Sequence, residues 1–186
     1  MPTIRPIELD DLRDIEYVCR MTAGEKAQRD EKFGEIISKT FSTYYVKECR
    51  ETCFCLADEN NKAVGYILCE PSYNRYGKIF RKKYMPLITK LSKKSGFEAF
   101  FMPIPYKLFG KNYPAHMHID ILPQYQSKGY GKELLDTLFK ALKEKNIKGL
   151  CLITGKSNPG AIRFYKRLGF KKLVVIGDMY AMGIRL

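Results

Sequence analysis

Residues His116 to Gly131 read His-Met-His-Ile-Asp-Ile-Leu-Pro-Gln-Tyr-Gln-Ser-Lys-Gly-Tyr-Gly. The first six alternate. Met117, Ile119 and Ile121 fall on one side, and His116, His118 and Asp120 on the other, the period of a strand. Pro123 has no N–H to donate and stops the ladder. A glycine turn follows, Gln126-Ser127-Lys128-Gly129-Tyr130-Gly131, and behind it Tyr130, Leu134, Leu135, Leu138 and Leu142 recur at helical spacing. Strand, glycine turn and helix N-terminus together predict an anion site. The first-turn N–H groups are unpaired, the dipole end is positive, and glycine lets a phosphate approach the backbone.

Working outward, Gly149 to Thr154 is an apolar run that predicts a buried parallel strand. Asn158-Pro159 opens a helix carrying Ala161, Ile162, Phe164, Tyr165 and Leu168, which Gly169 closes. Leu173 to Ile176 and Met179 to Ile184, split by Gly177-Asp178, predict a terminal hairpin. Toward the N-terminus, Thr3 to Ile7 is a short strand, and Asp10-Asp11 is placed to cap a helix through Leu12, Ile15, Val18 and Cys19. A polar link, Glu25 to Glu31, leads to a helix with Phe33, Ile36, Ile37, Phe41 and Tyr44. Thr52 to Ala57 and Ala63 to Cys69 are strands joined by a polar turn. The order is β-α-α-β-β-(insertion)-β-α-β-α-β-β: an α/β fold with a mixed central sheet of about seven strands and helices on both faces.

The chain of 186 residues is expected to be one domain, 1–186. Its insertion, residues 74–114, is the irregular part. It holds ten Lys or Arg against one acid, Glu98, and so carries nine of the thirteen net positive charges. Pro86 forbids one unbroken helix, and Phe97 to Tyr113, with Pro103 and Pro105, reads as extended and loop-like. Nine aromatics interleave with these basic residues, a pattern that also suits single-stranded nucleic acid. Helically spaced rings are more often core, so nucleic acid is not the expected partner. No apolar run approaches the roughly 20 residues of a membrane span, and no membrane partner is expected. Six cysteines without a paired Cys-x-x-Cys suit a reducing cytoplasm and predict no metal. Thr154-Gly155-Lys156-Ser157 looks like the end of a P-loop, but that motif needs glycine at position 150, which is leucine.

Gln126-x-x-Gly129-x-Gly131 and Asn158-x-x-Ala161-x-x-x-Tyr165 with Gly169-Phe170 resemble the two signatures of the GCN5-related N-acetyltransferases, and the order of elements is theirs. The His-Ile-Asp-Ile-Leu-Pro wording is also similar to the acetyltransferase-like domain of O-GlcNAcase and its bacterial relatives. The resemblance implies acetyl-coenzyme A as cosubstrate and an amine as acceptor. Ile121 and Leu122 would hold the pantetheine arm, and Gln126, Ser127, Lys128, Gly129, Tyr130 and Gly131 the pyrophosphate. Asn158 would touch the cofactor arm, although it is also a good helix cap. Tyr165 would act as general acid at the thioester sulfur, or else be core. His118 and Asp120 are the candidates for the base, or a hydrogen-bonded polar patch. The basic insertion favours a small or acidic acceptor. The alternative is a catalytically weak binding module whose insertion takes nucleic acid or an acidic partner. The chain is expected to be a monomer or homodimer.

Overall fold

The computed structural model describes residues 1–186. In chain order the elements are β1 (Thr3–Pro6), α1 (Leu12–Thr22), α2 (Glu25–Arg29), α3 (Glu31–Phe41), α4 (Thr43–Glu48), β2 (Phe54–Ala57) and β3 (Ala63–Glu70). The insertion follows as α5 (Tyr73–Ile79), a π-helical turn (Phe80–Tyr84), α6 (Met85–Leu91), α7 (Lys93–Phe101) and α8 (Ile104–Phe109). Then come β4 (Ala115–Ile121), α9 (Tyr130–Glu144), β5 (Gly149–Gly155), α10 (Pro159–Arg167), β6 (Lys171–Ile176) and β7 (Met179–Arg185).

All seven strands form one mixed sheet in the order β1-β2-β3-β4-β5-β7-β6. Every adjacent pair is antiparallel except β4 and β5. Alternation along β4 divides the helices between two faces. The His118 ring packs against Phe41 of α3 and Tyr45 of α4. On the other face, Gly131 of α9 lies close to Ile121 and Phe164.

The parallel pair is short. Only Ala115–Leu150 and His116–Cys151 are in register, and beyond them β4 and β5 part. Leu122 N–H donates to Val64 of the β3 side at 3.0 Å, so by alternation Ile119 and Ile121 direct their peptide groups into the gap.

The insertion is more ordered than its prolines suggest. Residues 97–113, expected to be extended, are mostly helical. Pro103 caps α8 and Pro105 lies in its first turn, where a missing N–H costs nothing. Ser92 starts α7 by accepting the Ser95 N–H at 3.2 Å. Tyr76, Phe80, Tyr84, Ile88 and Tyr106 from this segment join the main core. Tyr106 stacks on the buried His116 ring at a centroid distance of 3.9 Å. Glu70, wholly buried where β3 enters the insertion, accepts from the Tyr44 hydroxyl at 2.5 Å and pairs with Arg75 at 3.2 Å.

Two smaller expectations also change. Residues 25–29 form a helix rather than a link, because Ala27 is buried. Asp11 does not cap α1; its carboxylate takes the Glu8 N–H at 2.8 Å and the Arg5 guanidinium at 2.7 Å.

Gly149 sits where β4 and β5 join, and a Cβ there would collide with the Asn112 carbonyl and the Tyr113 ring. Gly149→Ala is expected to cost roughly 1–3 kcal/mol, as overpacking does. Chemical denaturation checks this; an unchanged midpoint would mean that the join has slack.

Candidate functional site

The gap between β4 and β5 opens into a crevice of about 580 Å³. Its walls come from β4 (Ile119, Asp120, Ile121), the turn before α9 (Gln126, Ser127, Gly129) and α10 (Asn158, Phe164, Tyr165). That size falls within the usual range of small-molecule sites.

The turn is a nest of donors. Ser127 and Gly129 both adopt left-handed backbone, at φ 60° and 93°. The five consecutive N–H groups from Ser127 to Gly131 donate to no group of the chain. Successive free amides with such dihedrals make an anion-binding concavity, and the N-terminus of the 15-residue α9 adds its dipole. Gln126 is not part of the nest. Its side-chain amide donates to the Ile121 carbonyl at 2.7 Å and ties the turn to the strand end. Gly131 admits the Phe164 ring, which lies 3.2 Å from where a Cβ would stand. Of the cations here, Lys132 is paired with Asp136 at 2.5 Å, while Arg167 has no carboxylate partner.

The nine-residue α10 starts at Asn158, whose side chain accepts the Ala161 N–H at 3.0 Å. The cap reading of Asn158 is therefore realised, and the residue also lines the crevice. Tyr165 is 8% exposed, packed against Phe164 and Phe170, and on the crevice wall. Burial, and then the charge of Asp120, raise its hydroxyl above the ordinary tyrosine value, so it keeps its proton.

Asp120 lines the crevice and accepts the Tyr66 hydroxyl at 2.6 Å. Burial pushes its carboxyl up to about 6, against the opposing pull of that hydrogen bond. No hydrogen bond joins Asp120 to His118, so the expected pair does not form. The His118 ring turns into the aromatic cluster, its Nε2 is buried without a partner, and burial takes its pKa down to about 4. His116 is buried without partners at either ring nitrogen.

The strand–turn–helix thus brings together Asp120, Ile121, Gln126, Ser127, Gly129, Gly131, Asn158 and Tyr165, while His118, Leu122, Lys128 and Tyr130 do not line the crevice. Lys128 and Tyr130 contribute free amides all the same. Sequence reasoning missed Ile119, Tyr66, Phe164 and Arg167. Phe164 and Arg167 follow Gly160 at helical spacing, a signal that could have found them; Tyr66 emerges only from the register that sets it opposite Asp120.

The sequence matches the Acetyltransferase (GNAT) family over residues 9–170. The chain belongs to this family. The crystal structure of SsHAT has a TM-score of 0.87 and 30% identity, covering 99% of this chain and 98% of that one. An N-alpha-acetyltransferase of Sulfurisphaera tokodaii is 42% identical over 66 residues, 35% of this chain; the match spans 40% of that relative's length. The PaiA N-acetyltransferase of Thermoplasma acidophilum, solved in complex with coenzyme A, shares the fold, with a TM-score of 0.63, 16% identity, and coverage of 100% of this chain and 99% of that one. Within the GNAT fold, the divergence of β4 and β5 is what makes room for the crevice.

Tyr66→Phe removes the hydrogen bond that most favours the charged form of Asp120, with Thr22 acting in the same direction to a smaller extent. The Asp120 pKa is expected to rise further above 6 in carboxyl-carbon NMR titration; a fall would show that the hydroxyl does not act on the carboxylate in this way.

Proposed function

We propose that this protein transfers the acetyl group of acetyl-coenzyme A to an amine by direct attack on the thioester. The observation that carries the reading is the run of free amides from Ser127 to Gly131, continuous with the open edge of β4 and facing Asp120 and Tyr165. Unpaired donors at a helix start suit a pyrophosphate, and an open strand edge suits an extended arm that bonds as an added strand. The coenzyme A complex of PaiA supports the same use of the fold.

Each residue then has a defined task. Ile119 and Ile121 offer peptide groups to the arm, although the Ile121 carbonyl is already held by Gln126. Asp120, with a carboxyl near 6, takes the proton that an attacking ammonium must lose. Tyr165, held protonated by burial, gives its proton to the departing sulfur and recovers one from solvent. His118 is given no part in this reading, because its ring packs against Phe41 and Tyr45 and does not line the crevice, and burial lowers its proton affinity.

The match of base to acceptor narrows the amine. An α-ammonium, with an ordinary pKa of about 7.7–8.0, lies about two units above Asp120; a lysine ammonium at about 10.4 lies more than four above it. We assign the acceptor as an α-amino group or another amine of similar basicity, the choice that also agrees with the N-alpha-acetyltransferase of Sulfurisphaera tokodaii, which this chain resembles over 66 residues. The excess positive charge of the chain favours small or acidic acceptors over lysine-rich ones.

A free-thiol release assay on peptide α-amines, run as a pH series, tests this. Tyr165→Phe is expected to lower kcat by roughly 10²- to 10⁴-fold with little change in KM for acetyl-coenzyme A. In the parent, kcat/KM should rise with pH through about 6 as Asp120 loses its proton, and Asp120→Asn should lose that limb. Near-normal turnover in Tyr165→Phe would leave that residue as core, and a limb retained in Asp120→Asn would place the base elsewhere.

A further inference from the structure

Of the aromatic residues in the insertion, Tyr76, Phe80, Tyr84 and Tyr106 are core, but three on α7 are not. Phe97 is 69% exposed, Phe100 44% and Phe101 45%. They touch one another: Phe97 and Phe101 lie 5.1 Å apart, and Phe100 and Phe101 5.3 Å, each pair edge to face. Arg81 sits 4.9 Å over the Phe100 ring. It also lines a hollow of about 260 Å³ with Lys78, Lys107 and Ile104, in which no acid takes part. None of these three cations is in an ion pair. Lys93 and Lys94 stand exposed at the start of the same helix.

We propose that this face of α7 and α8 is a docking surface for an anionic lipid bilayer, the phenylalanines entering the headgroup boundary and the Lys78–Arg81–Lys107 hollow taking a lipid phosphate. An apolar cluster rimmed by basic side chains is the pattern of interfacial helices, and juxtaposed lysines and arginines gain from the negative surface potential of anionic lipids. The charge complements an anionic surface and opposes a second copy, which would bring two strongly positive insertions together. The three rings stand exposed along one helix and line neither the crevice at β4 nor the Lys78–Arg81–Lys107 hollow. Edge-to-face packing at about 5 Å leaves them no separate platforms for successive bases, and exposed Leu108 and Ile104 add aliphatic surface that bases do not need. No helix is long and apolar enough to cross a membrane, so the contact is peripheral.

Flotation of the full chain with vesicles tests the proposal. Binding is expected to phosphatidylglycerol–phosphatidylcholine vesicles, to fall with added salt, and to be absent with phosphatidylcholine alone. Phe97→Asp/Phe101→Asp and, separately, Lys78→Glu/Lys107→Glu should each weaken it by at least roughly tenfold, with an unchanged circular-dichroism melt because the altered side chains are exposed. No binding to anionic vesicles overturns the proposal. So does equal binding by the phenylalanine variant, which would leave only the charge of the whole chain. A dimer by ultracentrifugation that the same variant splits, or a single-stranded DNA shift that it alone abolishes in the absence of vesicle binding, would assign the surface to those partners instead.

Discussion

The molecule depends on a parallel strand pair that stops after two residue pairs. A parallel ladder ordinarily continues as far as both strands run, since each added peptide satisfies its neighbour. Here β4 and β5 part beyond His116 and Cys151, and the peptide groups of Ile119 and Ile121 are left facing a gap. The join itself is tight, with Gly149 pressed against Asn112 and Tyr113. A rigid join followed by divergence gives a wedge, and the wedge is the site. The turn before α9 then adds a nest of amides at its mouth, and α10 lays Tyr165 along its wall.

Burial sets the chemistry of the side chains in that wedge. It raises Asp120 to about 6 and lowers His118 to about 4, and this, with the His118 ring turned into the aromatic cluster, is why the proposed reaction gives the proton to the carboxylate. The same burial, reinforced by the Asp120 charge, keeps the Tyr165 hydroxyl protonated. A base and an acid whose proton affinities are pushed apart by one environment are the pairing that general acid–base catalysis needs. Tyr66, from the neighbouring strand, trims the Asp120 shift through its 2.6 Å hydrogen bond.

Much of this was legible in the residues. Strict alternation at 116–121, the glycine turn and the leucine spacing beyond it specify strand, turn and helix from local rules, and the order of elements around them follows. What could not be read depends on contacts across the chain. The two histidines share a face with Asp120, which invited a pair; whether their rings turn to the carboxylate or into an aromatic cluster is decided by Phe41, Tyr45 and Tyr106, from three distant helices. The Tyr66 hydroxyl is visible only through strand register. Residues 97–113 misled for a local reason: Pro103 and Pro105 break helices in their interiors but start them readily, and a sequence shows the proline before it shows its position. The exposure of Phe97, Phe100 and Phe101 was likewise hidden, since helically spaced rings read as core.

On the proposed function, the free amides of the turn and the open edge of β4 hold the coenzyme. The most direct measurement is a backbone-amide NMR titration with coenzyme A. The account predicts that the largest shifts fall on Ser127 to Gly131, with Ile119 and Ile121 following, and little change in α7 and α8. Shifts centred on Thr154 to Ser157 or on the insertion, with the 127–131 amides unmoved, would contradict it.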